Sequence, residues 1–358
     1  FDAHQEAVDR LLSSGRAYWS DPVPESERDR TGGRPYDPAD RDRDLGPGDG
    51  RAVRFRTPDD GTTSWVDLIR GDISFENANI EDFVIRRADG SPTFFVANAV
   101  DDQDMAVTHV IRGEDLINVT PKQLLLRAAL GYDKALELGH MPLIVNEARK
   151  KLSKRRDDVS LLDYRDRGFL PEAMVNYLAL LGWGLPDGSE IRLDPLHELP
   201  PLFDICDVND SSAFFDAKKL RFVNAEHLRA LGSAEFATRS QRYFDAQPWA
   251  DRFHAGTFGR IAGEVQTRVE TLSEVPGYVD FLFLAEPEID EASWAKAMVL
   301  DAPAWLDAVI AAASDWPWEA SELHERTFAL CAELGANRKK FQAPIRVAVT
   351  GRTVGPPL

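Results

Sequence analysis

One stretch limits this chain more than any other. AVTHVIRG (106–113), TPKQLLLRAALG (120–131) and HMPLIV (140–145) follow one another as an apolar strand, a helix and a second apolar strand. VTHVIRG is nearly continuous in apolar residues, the pattern of a strand covered on both faces, and HMPLIV predicts another short buried strand. Thr120 as N-cap, Pro121 at the first helical position and Gly131 beyond the last turn bound the helix. Two buried strands joined through a helix predict a parallel α/β sheet.

The flanking segments differ from this centre. Residues 2–18 place Ala7, Val8, Leu11 and Leu12 at helical spacing, and Gly15 ends the pattern. Residues 21–50, rich in Pro, Gly, Asp and Arg, predict an exposed loop. RAVRFR (51–56), TSWVDLI (63–69) and DFVIRR (82–87) predict strands, with ADG (88–90) as a turn, so this front region is a small mixed α/β unit. PTFFVANAV (92–100) and AVTHVIRG bracket an acidic turn at Asp101, Asp102 and Asp104. After residue 160 the chain predicts helices. FLPEAMVNYLALLGWG aligns Leu170, Met174, Tyr177, Leu178 and Leu181 on one face, and ASWAKAMVL and LHERTFALCAEL continue the helical pattern. No apolar run approaches the roughly 18 residues of a membrane span.

Charge and cysteine narrow the chemistry. The formal net charge of −18 argues against a nucleic-acid binder when taken alone. Phosphate contacts, however, depend on local charge. Residues 146–167 carry eight basic residues against five acidic ones, and residues 336–352 carry Arg338, Lys339, Lys340, Arg346 and Arg352 with no acid. Cys206 and Cys331 are too few for a disulfide framework or a four-cysteine zinc site, and are expected as two buried thiols in a reducing cytoplasm.

Three groups of residues carry candidate chemistry. Lys151-Leu152-Ser153-Lys154-Arg155 follows HMPLIV by a short polar turn. Paired ammonium groups with a hydroxyl suit a polyphosphate, though a basic surface turn has the same composition. Asn98 and Arg112 stand in or at the ends of apolar segments, where open α/β sheets bind ligands. Arg112 could clamp a carboxylate with two donors, or pair structurally with Glu114 or Asp115. His109 and His140 are expected as satisfied core or edge residues. Asp101 and Asp102 could hold magnesium or cap a turn.

The string PTFFVANAVDDQDMAVTHVIRGEDLINVTPKQ (92–123), then GHMPLI (139–144), KLSKR (151–155) and GFLPEAMVNYLALLGWG (168–184), resembles the glutamyl-tRNA synthetases in motif order and spacing. FDAKKLRFVN (215–224) and PIRVAVTGRTVGPPL (344–358) are similar to later motifs of that family. The resemblance implies an α/β plus all-α architecture, namely the second half of a class I synthetase Rossmann-like domain with an α/β insertion and helical modules. It divides the chain into an acceptor-end binding domain (1–91), a catalytic part (92–160), stem-contact helices (161–228) and anticodon-binding helices (229–358). It implies that glutamate and ATP form glutamyl-adenylate and that the terminal ribose hydroxyl of tRNA(Glu) then takes the glutamyl group, with magnesium neutralising the phosphates.

KLSKR is similar to the second class I signature. By that resemblance Lys151 and Lys154 would stabilise the transition state, Ser153 would support the loop, and backbone at Ile144 and Leu152 would hold adenine. Arg112 would pair with the side-chain carboxylate of glutamate and Asn98 would contact its main-chain end. Phe94 stands where the family usually has a Tyr whose hydroxyl helps bind glutamate. Some relatives carry a Cys-x-Cys zinc site where this chain has AYWSDP (17–22), so no structural zinc is expected. A cytoplasmic monomer is implied.

No HIGH signature precedes these motifs, and the family's last helices are unmatched after Leu358. The expectation is that the full-length protein is the enzyme, that this stretch alone is inactive, and that an unpaired apolar strand edge makes it prone to aggregate. Three alternatives compete. A relative that glutamylates a modified tRNA base ends soon after the signature loop, whereas this chain runs on to Leu358. Glutaminyl-tRNA synthetase reads the anticodon with a β-barrel, whereas 224–358 predicts helices. A non-catalytic tRNA-binding module would not be expected to keep KLSKR.

Overall fold

The computed structural model describes residues 1–22, 38–152 and 160–355. They form two compact units. The first holds Phe1–Lys151, Leu181–Gly184 and Leu202–Phe215; the second holds Leu152–Leu180, Leu185–Pro201 and Asp216–Leu358.

In the first unit, α1 (Asp2–Ser13) buries Ala7, Val8 and Leu11 at the predicted spacing. The helix is shorter than the pattern to residue 18 implied. Gly15 takes a left-handed φ of 68°, and Ala17–Ser20 then forms strand β1. β1 pairs antiparallel with β2 (Ala52–Phe55), which pairs antiparallel with β5 (Phe83–Arg86). Between β2 and β5, the hairpin β3 (Thr62–Asp67) and β4 (Gly71–Glu76) projects into a second sheet. β4 was not anticipated, although Ile73 and Phe75 alternate with polar residues there.

The chain continues through α2 (Phe94–Asp104), β6 (His109–Gly113), α3 (Thr120–Ala129), β7 (Glu137–Met141) and β8 (Ile144–Val145). A later strand, β9 (Ala213–Phe214), pairs parallel with β8. The second sheet has the order β4-β3-β7-β6, and β7 runs parallel to both neighbours, so the predicted strand–helix–strand crossover is present.

Four local expectations change. PTFFVANAV lies largely in helix α2: Val96, Ala99 and Val100 recur at helical spacing and are buried, and the acidic turn is that helix's last turn. β6 is an edge strand, and Ile111 is 44% exposed, so VTHVIRG is not covered on both faces. HMPLIV splits at Pro142, which cannot donate to a ladder, and β8 leaves to join β9. Val119, not Thr120, occupies the cap of α3, and the Thr120 hydroxyl is engaged elsewhere. The core of this unit gathers Val8, Leu11, Val53, Phe55, Ile85, Val96, Val100 and Leu126.

The second unit is helical. It contains α4 (Leu161–Asp166), α5 (Pro171–Ala179), α6 (Pro195–Glu198), α7 (Ala217–Ala230), α8 (Ser233–Asp245) and α9 (Ala255–Gln266). It continues with α10 (Val275–Val279), α11 (Glu291–Ala297), α12 (Ala302–Ala313), α13 (Ala320–Glu333) and α14 (Arg338–Thr350). Among its described residues there is no strand. Met174 and Tyr177 of the expected apolar face are buried, whereas Leu178 is exposed.

Phe244 anchors an aromatic core, 4.3 Å from the Phe253 ring and 4.7 Å from Phe258. Gly168, at φ 86°, lies where a Cβ would meet the Ser273 amide nitrogen at 2.4 Å, so both its conformation and its packing require glycine. Of the two thiols, Cys331 is buried as expected, but Cys206 is exposed because it sits in a short surface turn.

Candidate functional site

The sheet order places three polar residues in a row across β3, β7 and β6. Arg112 on β6 is the register partner of His140 on β7. Asp67 ends β3 and reaches the same histidine from the other side. His140 is fully buried. Its backbone N–H donates to Asp67 Oδ1 at 3.1 Å, and its Nδ1 lies 2.5 Å from Asp67 Oδ2. Burial alone would raise the Asp67 carboxyl. Hydrogen bonds from His140, the Ile69 amide and the Trp65 indole outweigh it and hold the carboxyl below its ordinary value.

Arg112 is held on one edge only. Its Nε donates to His140 Nε2 at 3.2 Å and its Nη2 to Thr120 Oγ1 at 2.7 Å. A guanidinium has five N–H donors, and among the described residues Nη1 has no hydrogen-bond partner. The structural alternative, a pair with Glu114 or Asp115, does not form. Glu114 accepts from Arg70 and from the Leu143 amide, and Asp115 accepts from Lys151 Nζ at 2.7 Å. Among the described residues Arg112 has no ion pair. Burial pushes its guanidinium down from the ordinary value, and the attraction of Asp102 opposes that only in part. A half-buried cation without an acid partner among the described residues is costly to keep.

Helix α2 brings Asp102 within electrostatic range of Arg112. Phe94, Asn98 and Asp102 recur every four residues and so share one side of the helix. Phe94 is exposed, and the half-buried Asn98 amide has no hydrogen-bond partner among the described residues. Burial raises the Asp102 carboxyl against the attraction of Arg127 and Arg112. Asp101 instead pairs with His4 Nε2 at 2.6 Å.

Ile144 lies on β8 in register with Ala213. The Ala213 and Phe215 amides donate to the Leu143 and Val145 carbonyls, which turns the Ile144 peptide groups away from β9. Lys151 bridges to Val145 in an antiparallel sense, so the first signature lysine sits beside β8. Leu152 is half-buried. Ser153, Lys154 and Arg155 lie outside the described residues. The structure therefore gathers Arg112, His140 and Thr120 at one point and Lys151 and Ile144 at another.

Two participants were missed from sequence. Asp67 ends an alternating strand, where a lone acid carried no motif. Thr120 reads as a helix cap in the sequence, but its hydroxyl meets Arg112 and His140 of the sheet.

Residues 1–222 match the family described as tRNA synthetases class I (E and Q), catalytic domain, and residues 235–358 match an anticodon binding domain. A glutamate–tRNA ligase of Thermobifida fusca (strain YX) is 50% identical over 365 residues, covering 100% of this chain and 76% of that protein. One of Frankia alni is 51% identical over 362 residues, covering 100% and 77%. Among solved structures, glutamate-tRNA synthetase from Elizabethkingia anophelis superposes with a TM-score of 0.78 at 27% identity, covering 99% of this chain and 78% of that one. A glutamate–tRNA ligase of Elizabethkingia meningosepticum, solved in complex with its amino acid, gives 0.77 at 26% identity, covering 98% and 78%.

Proposed function

The chain belongs to the class I tRNA synthetases for glutamate and glutamine, and from that premise we propose that it serves a glutamate–tRNA ligase whose amino-acid pocket centres on Arg112. The observation that carries this reading is the half-buried guanidinium, pinned on one edge and without an acid partner among the described residues. Its open edge suits the side-chain carboxylate of glutamate, which would supply the missing charge. Asn98, one turn from Phe94, contacts the main-chain end of the substrate. The wholly helical set of described residues in 235–355 favours a glutamyl over a glutaminyl enzyme, since the latter reading needs a barrel there.

ATP enters as its magnesium complex. Main-chain groups of Ile144 and Leu152 hold the adenine, and Lys151 and Lys154 follow negative charge as it moves onto pyrophosphate, with Ser153 supporting the loop. Lys151 rests on Asp115 and exchanges that carboxylate for phosphate when ATP binds. In the helical unit, Arg338, Lys339 and Lys340 stand exposed at the start of α14 and offer phosphate contacts to tRNA(Glu). Arg346 and Arg352 of the same basic run are spent inward, on the Gly355 carbonyl and on Asp280.

The test is ATP- and glutamate-dependent charging of tRNA(Glu) by the full-length product of the parent gene. Lys154→Ala is expected to cut kcat by roughly 100- to 1,000-fold, the scale of removing one transition-state charge contact. A folded wild-type protein that charges no tRNA would overturn the reading.

A further inference from the structure

We propose that Asp67, His140 and Thr120 are positioning residues that set the donor geometry of Arg112 and thereby the affinity for the amino-acid substrate. The inference rests on the reading of Arg112 as the carboxylate clamp. The row Asp67–His140–Arg112 is one continuous hydrogen-bonded line across three neighbouring strands, and Thr120 closes it from α3.

The direction of each bond follows from what the groups can do. A guanidinium only donates, so His140 Nε2, which takes the Arg112 Nε–H, is unprotonated. The proton of a neutral imidazole then sits on Nδ1, and the Asp67 carboxylate accepts it. Asp67 is itself fixed by donors that share it: the His140, Ile69 and Arg70 amides and the Trp65 indole. Its side chain therefore cannot turn away, and the tautomer is locked. Thr120 Oγ1, accepting from Arg112 Nη2, stops the guanidinium from rotating about the His140 contact. One edge of Arg112 is thus committed to the protein, and only the other faces a ligand.

Asp67→Asn reverses this polarity. Turned to donate from its amide nitrogen, the new side chain asks His140 Nδ1 to accept, which moves the proton to Nε2 and sets two donors against each other at Arg112. Glutamate KM should then rise roughly ten- to hundredfold, as expected when a buried charged donor loses its acceptor. KM for ATP and kcat should stay within about threefold, because the adenylate-forming groups on β8 and KLSKR are untouched. Long-range ¹H–¹⁵N spectra of the imidazoles report the tautomer independently of activity: Nε2 unprotonated in the wild type, Nδ1 unprotonated in Asp67→Asn.

Because Asp67 is buried, Thr120→Val and Thr120→Ser form a second pair. Val removes the hydroxyl at similar volume and should raise glutamate KM; Ser keeps it and should restore wild-type behaviour. Arg112→Lys separates the two layers of the claim. If it raises glutamate KM while neither Asp67→Asn nor Thr120→Val does, the positioning inference is overturned and the clamp stands. If Arg112→Lys leaves glutamate KM unchanged, clamp and positioning fall together. A wild-type His140 carrying its proton on Nε2 would also overturn the inference.

Discussion

Asp67 in the sheet unit and Asn176 in the helical unit are both almost wholly buried, and each organises a buried histidine. Asn176 stands on the buried face of α5. Its amide donates to the Glu190 carbonyl at 2.9 Å, and its oxygen accepts from the Arg192 amide at 2.8 Å and meets His227 Nε2 at 3.0 Å. Each of these three contacts has both partners inside the same unit. The Asp67 network runs through His140 and ends on Arg112, a cation with no acid partner among the described residues. Closure marks a network that serves folding, because each desolvated polar group recovers a hydrogen bond. A network that ends on an unpaired charge spends stability on something not yet present, and that is the signature of a ligand site.

Breaking the closed network should give the largest stability effect. Asn176→Leu leaves the Arg192 and His227 donors and the Glu190 carbonyl without partners. At about 1–3 kcal/mol for each buried group, the helical unit should lose roughly 3–9 kcal/mol in urea denaturation. Glutamate KM should not move. A changed KM with unchanged stability would dissolve the distinction between the two networks.

Acid should separate the units next. Burial holds the His227 imidazole below its ordinary value, against a weaker opposing pull from Glu172. The unfolded chain therefore binds a proton before the folded one does. Stability of the helical unit should fall as pH drops below the ordinary His value of about 6.5. In the sheet unit, burial would raise the Asp82 carboxyl, but hydrogen bonds from Arg41, Tyr18 and the Thr57 amide outweigh it and hold it low. That contribution is present above the unfolded value of about 3.9 and is lost as pH falls further through the folded one. Hydrogen exchange between pH 7.5 and 5.5 should thus accelerate in α7 before β5, and His227→Gln should flatten the difference.

Surface charge should matter less and should respond to salt. Lys339→Ala with Lys340→Ala is expected to weaken tRNA binding and to reduce the salt dependence of log Kd by about 0.7–0.9 for each lysine that contacts phosphate. Stability should be unaltered, since both side chains are exposed. The smallest effect concerns the face beside Arg112. Phe94→Tyr returns a hydroxyl at an exposed position and should lower glutamate KM several-fold, about one hydrogen bond of 0.5–1.5 kcal/mol. An unchanged or higher KM would detach Phe94 from the pocket.

Much of this was legible in the residues, and the failures have physical causes. The crossover from β6 through α3 to β7 was visible because apolar strands and a Pro-to-Gly bounded helix carry strong local signals. Arg112 stood out as a charge at the end of an apolar run. The acidic residues Asp101, Asp102 and Asp104 read as a turn after PTFFVANAV but continue its helix, because a short, nearly all-apolar run fits a buried strand and a buried helix alike. The apolar run of β6 predicts a strand covered on both faces, yet β6 forms the sheet edge and Ile111 is exposed. Asp67 and Thr120 were invisible as site residues because their roles come from register. Sequence separates Asp67 from His140 by three strands and two α-helices, and only the parallel pairing brings them together.

The central claim is that the Arg112 network is left open for a substrate carboxylate rather than for the fold. Arg112→Met tests it most directly, with stability and amino-acid preference measured on the same full-length protein. Methionine fills the space, and the Thr120 hydroxyl can take over His140 Nε2, which lies 2.9 Å away. Stability should stay within about 1 kcal/mol of the wild type or rise, because a desolvated unpaired charge has been removed. The preference for glutamate over glutamine should fall by roughly a hundredfold or more, as expected when a charged carboxylate loses its clamp. A loss of several kcal/mol in stability with the glutamate preference intact would show that Arg112 serves the fold and would contradict the account.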